Sequence, residues 1–168
     1  MCFSDIVPSH IDSVKYLNNI AQKYNSKILV GGHSKGGNLA VYASAFCNKE
    51  IRNRIIKIYN NDGPGFSEKI TSKQEYLNIL NKIRTYMPQT SIIGRLLNHK
   101  EKIKILKSTQ TGFMQHDLYS WQILGDKFIK DEFTNYSEFI DHTINNWLKE
   151  VTPEQRKKFV NTILDVLN

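Results

Sequence analysis

Apolar residues recur at Ile11, Val14, Leu17, Ile20, Ala21 and Tyr24, spaced three, four or one apart. That period predicts an amphipathic helix opened by Pro8-Ser9 and ended by Asn25-Ser26. The pattern then changes. KILVGG is a short apolar run bounded by glycines, which predicts a buried strand. GNLAVYASAFC, small and apolar on nearly every side, suits a helix buried against a sheet. RIIKIYN at 54–60 predicts the next strand, closed by the turn residues of NNDGPGF.

The cycle repeats. SKQEYLNILNK is expected to be helical, with Tyr76, Leu77 and Leu80 as its apolar face. IRTYMP follows as a strand that Pro88 terminates, and Ile92 to Leu97 is expected to form a short helical turn. KIKILKS alternates isoleucines with lysines, which places a fourth strand near a sheet edge. Further helices are expected from Tyr136 to Glu150 and from the Thr152-Pro153-Glu154 start signal to Leu167. Strands alternating with helices predict an α/β fold: one domain over residues 1–168, with a mostly parallel sheet of about four strands. In such sheets function gathers beyond the carboxyl ends of the strands.

The stretch ILVGGHSKGGNLAVYAS sits at the first of these ends. A phosphate-binding P-loop fails, because Lys35 precedes the glycine pair and Asn38 follows it. The glycines at 31, 32, 36 and 37 do not have the spacing of a dinucleotide fingerprint either. G-x-S-x-G does match, as Gly32-His33-Ser34-Lys35-Gly36. A serine raised on a sharp strand-to-helix turn adopts strained dihedrals, and glycines two residues to either side remove side chains that would collide. The helix starting beneath it favours negative charge, and the Lys35 N–H is the expected oxyanion donor. The alternative is a glycine-rich structural turn.

A serine nucleophile needs a base, and the base an orienting acid, in the chain order Ser, Asp or Glu, His. Asp62 follows the second strand on its tight turn; the competing role is an Asx-turn that only caps the strand. His116, in QHDLYSW, follows the fourth strand, where the base belongs; the alternative is a hydrogen-bonded structural histidine. His10 precedes the serine turn, His33 is expected to point away within it, His99 to end a basic helix, and His142 to lie on a helix surface. Asp117 is a weaker candidate for the acid.

The formal charge of +7 allows weak contact with nucleic acid or anionic membranes. The basic residues are scattered, however, with no specific nucleic-acid constellation. Cys2 and Cys47 form no metal-ligand spacing and read as reduced thiols. The N-terminus lacks the apolar core of a signal peptide, and no run approaches the ~18 apolar residues of a membrane helix. A cytoplasmic protein without metal or cofactor is expected.

GGHSKGGNLAVYAS, IYNNDGPGFS, MPQTSIIGRLL and QHDLYSW together closely resemble the Mbeg1-like family of α/β-hydrolase-fold proteins, related to the class 3 lipases. The resemblance runs from about Phe3 to Trp147. It implies serine-hydrolase chemistry, with Ser34 as nucleophile and His116 as base. Class 3 lipases keep their acid in the position that Ser91 fills here, so the acid is assigned instead to Asp62, as in pancreatic-type lipases. Relatives carry further strands before the helix at Pro8, one of whose loops supplies a second oxyanion donor. The chain is therefore expected to be a C-terminal portion of such a domain, impaired alone, with a sheet edge open to self-association or to an N-terminal fragment. Three functions follow: hydrolysis of a small-molecule acyl ester or thioester, a non-catalytic scaffold or half of a split hydrolase, and, last, a basic binding module. Apolar residues of SIIGRLL, with Phe113, Met114 and Trp121, are candidates for an acyl pocket.

Overall fold

The computed structural model describes residues 6–133 and single or short stretches of residues between 143 and 162. Four parallel strands form one sheet in the order β1 (Ile28–His33), β2 (Ile55–Asn61), β3 (Ile83–Pro88) and β4 (Ile103–Leu106). Spatial order equals chain order, so every connection crosses over in one direction and all four carboxyl ends share one rim. The expected α/β class is the class observed.

Helix α1 (Pro8–Lys23) starts at proline, whose missing N–H costs nothing in a first turn. His10 is the residue its pattern hides. Its Nδ1 accepts from the Val7 N–H at 3.3 Å, its Nε2 donates to Asn38 Oδ1 at 2.7 Å, and its ring stacks on Tyr42. The helix buries His10, Leu17 and Ala21, while Ile11, Ile20 and Tyr24 of the expected stripe stay exposed.

Helix α2 (Lys35–Phe46) is buried along most of its length, as its composition requires. Val41 and Ala45 pack with Ile51, Ile55, Ile58, Ile70, Tyr76 and Ile79 into the main core. Each such isoleucine contributes about 1.5–3 kcal/mol by leaving water. A short helix α3 (Lys49–Arg54), too brief to show a period, precedes β2. The helix expected over SKQEYLNILNK is broken. After a separate short helix α4 (Glu68–Thr71), the segment holds only α5 (Gln74–Leu77) and a 3-10 turn (Leu80–Lys82), with Tyr76 and Ile79 buried but Leu77 exposed. Residues 92–97 form bends and turns rather than a helical turn.

Among the described residues β1 pairs only with β2, so it is an edge strand, not a buried one; Leu29 is 61% exposed. A groove lined by Leu17, Ile20, Tyr24, Ile28, Leu29 and Arg54 runs beside this edge. It lies at the start of β1, about 20 Å of strand away from Ser34. Beyond β4 a small antiparallel pair, β5 (Ile123–Leu124) with β6 (Lys127–Phe128), was not expected. The helices expected at Tyr136–Glu150 and Thr152–Leu167 fall largely outside the described residues, as do His142 and Cys2. No described helix is long and apolar enough to cross a membrane.

Candidate active site

Ser34 links β1 to α2 with φ 55° and ψ −129°, a left-handed conformation that residues with a Cβ rarely adopt. Such strain costs on the order of 1–3 kcal/mol and persists only where surrounding structure enforces it. Here the ladder enforces it from one side, since the Ser34 N–H donates to Asn61 O at 2.9 Å. Helix α2 enforces it from the other, through Gly37 and Asn38 N–H groups on Ser34 O.

Only one of the two motif glycines is sterically required. A Cβ at Gly32 would overlap the Gly36 backbone, so strand and helix can cross this closely only with glycine there. A Cβ at Gly36 would meet nothing within 4 Å. The expectation that both clear space for the turn is therefore corrected: Gly36 is approached through its backbone, and its own Cβ position is open. The Lys35 N–H, the expected oxyanion donor, donates to no acceptor among the described residues. It is free at the positive end of α2.

Asp62 also has a left-handed backbone, φ 51°, directly after β2. Its N–H extends the ladder to Tyr86 O at 2.8 Å, and the residue is 1% exposed. Asp62 does not cap the strand with an Asx-turn; the turn is held by Asn60, whose Oδ1 accepts from the Gly63 N–H, three residues on, at 3.0 Å. That leaves the Asp62 carboxylate for long-range partners. Oδ2 accepts from His116 Nδ1 at 2.8 Å, and Oδ1 accepts a short hydrogen bond from the Ser91 hydroxyl.

His116 ends a 3-10 turn (Gly112–His116) beyond β4. Because an ionised Asp62 can only accept, a hydrogen sits on His116 Nδ1, and in the neutral ring Nε2 then carries the lone pair. No hydrogen bond links Ser34 Oγ to the His116 ring among the described residues. Asp117 is not a competitor, since its Oδ1 caps the next turn through the Tyr119 N–H.

His33 does not point away. Its Nε2 donates to the His116 backbone O at 2.8 Å, and the two rings lie 4.4 Å apart. Burial, and then the neighbouring His116, push the His33 pKa down. A neutral His33 therefore clamps the His116 turn against the serine turn. His99 ends no helix, because the residues before it form bends and turns; its Nδ1 donates to Glu101 Oε1 at 2.9 Å and its Nε2 to Gly94 O at 2.7 Å. Of the acyl-pocket candidates, Ile93, Leu96 and Trp121 are buried, while Phe113 and Met114 are exposed. The Cys47 thiol is buried and pushed up to about 11 by desolvation. No cluster of three or more His, Cys, Asp or Glu side chains suited to a metal occurs among the described residues.

Ser34 after β1, Asp62 after β2 and His116 beyond β4 thus stand on one rim of a parallel sheet, and fold and site together define an α/β protein. The family model for Mbeg1-like proteins matches residues 1–165, and the chain belongs to the Mbeg1-like family. No curated protein and no solved structure matches it.

Proposed function

We propose that the protein is a serine hydrolase acting on an acyl ester or thioester. The observation that carries this reading is the strained Ser34 between a parallel strand and a buried helix, on the same rim as the His116–Asp62 pair. His116 Nε2 takes the Ser34 proton as Oγ attacks the carbonyl carbon. Asp62 fixes the tautomer and balances the imidazolium that forms. The Lys35 N–H stabilises the oxyanion, and collapse expels the alcohol or thiol with the proton held by His116. Water then attacks the acyl-enzyme by the same route, releasing the acid and restoring Ser34. The reaction needs no cofactor.

A second reading, a hydrolase-like scaffold without catalysis, is favoured by the missing Ser34–His116 hydrogen bond. Catalytic hydrogen bonds are often loose without substrate, so the first reading stands above it. Turnover of p-nitrophenyl esters and acyl thioesters separates the two. Hydrolysis abolished by Ser34→Ala supports the enzyme; hydrolysis unchanged by Ser34→Ala, or absent in the folded protein, supports the scaffold.

The outer edge of β1 belongs to the same reading. Among the described residues it pairs with no strand, and with exposed Leu29 it suits a further strand, from a second copy or from an N-terminal fragment. A monomer by sedimentation that gains nothing from such a fragment contradicts this.

A further inference from the structure

The Asp62 carboxylate has two oxygens, and the proposed reaction uses one. A carboxylate held through Oδ2 alone can still swing about its terminal torsion, which is broad. Here Oδ1 is held too, by the Ser91 hydroxyl just beyond β3.

Ser91 Oγ itself accepts from the Gly94 N–H at 3.0 Å, which aims its hydrogen at Asp62. Gly94 O accepts from His99 Nε2 at 2.7 Å, and His99 Nδ1 donates to Glu101 at 2.9 Å. Thr85 Oγ1 at 2.6 Å and Tyr76 O–H at 2.8 Å complete the Glu101 carboxylate. Both His99 nitrogens face groups that only accept, so the ring is doubly protonated and ion-paired with Glu101. These two side chains are 5% and 1% exposed, and the proposed reaction uses neither. A Cβ on Gly94 would lie against Asp62 Oδ1 and Ser91 Oγ, so the loop backbone itself packs on the carboxylate.

We propose that Ser91 is a positioning residue that locks the Asp62 carboxylate plane toward His116, with the buried His99–Glu101 pair as its anchor. This rests on the serine-hydrolase reading of the site. A hydrogen bond to a charged group contributes enough that its loss costs roughly 10- to 100-fold in a rate that depends on it. A role confined to stability would lower the melting temperature and leave the rate constant of Ser34 alone.

The test compares wild type, Ser91→Ala and Ser91→Thr in two measurements: the inactivation kinetics of a fluorophosphonate, and the hydrogen-bonded His116 Nδ1 proton by NMR. Ser91→Ala is expected to slow maximal inactivation about 10- to 100-fold with unchanged reagent affinity, and to broaden or lose that proton signal. Ser91→Thr, which keeps the hydroxyl, should recover both. Wild-type kinetics and an unshifted proton in folded Ser91→Ala would overturn the proposal. If wild type itself does not react, the hydrolase reading fails separately, and the proton signal alone decides the positioning role. Should Ser91→Ala not fold, Ser91→Cys, a weak donor of similar size, is read in the same way.

Discussion

His116 Nδ1 donates to Asp62 Oδ2 across 2.8 Å, joining two turns 54 residues apart in the chain. This bond selects the His116 tautomer and leaves Nε2 with the lone pair that a general base needs. Replacing Asp62 by Asn tests that role with little disturbance of the fold, because Asn tolerates the left-handed backbone that Asp62 adopts. The amide N–H₂ would favour the opposite tautomer. Asp62→Asn should therefore lower turnover by on the order of 10³–10⁴ with a melting temperature close to wild type. Steady-state kinetics and a thermal melt check this together.

The two motif glycines should respond oppositely to alanine. At Gly32 the added methyl meets the Gly36 backbone, so Gly32→Ala is expected to lose about 1–3 kcal/mol and to distort the serine turn. At Gly36, inside α2 with open space around it, alanine should be neutral or stabilise by about 0.5–1 kcal/mol. Urea unfolding of both variants makes the comparison. Equal losses would contradict the packing described for the turn.

His10 predicts an acid-sensitive anchor between α1 and α2. Burial pushes its pKa down, the Asn38 hydrogen bond pulls it back up, and the charge of Lys35 lowers it further, leaving it below the ordinary value. The neutral ring is also the one that can accept from the Val7 N–H. Its contribution to stability is thus complete above about pH 6.5 and declines as pH falls toward the lower folded value. The drop in stability from pH 7 to pH 5 should shrink in His10→Gln, measured by urea unfolding at each pH.

Glu101 titrates in a separate window. Burial alone would raise its carboxyl, but the His99 hydrogen bond and charge, with the Thr85 hydroxyl, hold it at about 2. Stability from this group is complete above its unfolded value near 4.5 and is lost as pH falls from there toward 2. Glu101→Gln should flatten acid unfolding between those limits, at the expense of lower stability at neutral pH.

Much of the fold was legible because parallel strands are apolar runs ended by turn residues. ILVGGH, IIKIYNN, IRTYMP and IKIL all read that way. What failed was local. KEIRNR is too short to show a helical period, and the run around Tyr76 hid its breaks because buried Tyr76 and Ile79, three apart, keep helical phase across the gap between α5 and the 3-10 turn. Ser34, Asp62 and His116 could be chosen by motif and by place after a strand. His33, Ser91 and His99 could not, since their roles depend on partners reached only through the tertiary fold. His33 meets His116 O across 83 residues, and Ser91 meets Asp62 across 29. Asp62 and Asn60 show the same limit: both side chains could hold the turn after β2, and only packing decides that Asn60 does.

Covalent labelling of Ser34 reads its nucleophilicity without acyl-enzyme hydrolysis or knowledge of the substrate. The folded chain is treated with a fluorophosphonate and the modified peptide is mapped by mass spectrometry. One phosphonyl group is expected on Ser34, with labelling lost in Ser34→Ala and strongly slowed in His116→Ala. A folded protein whose Ser34 stays unmodified, or reacts equally fast without His116, would contradict the serine-hydrolase reading.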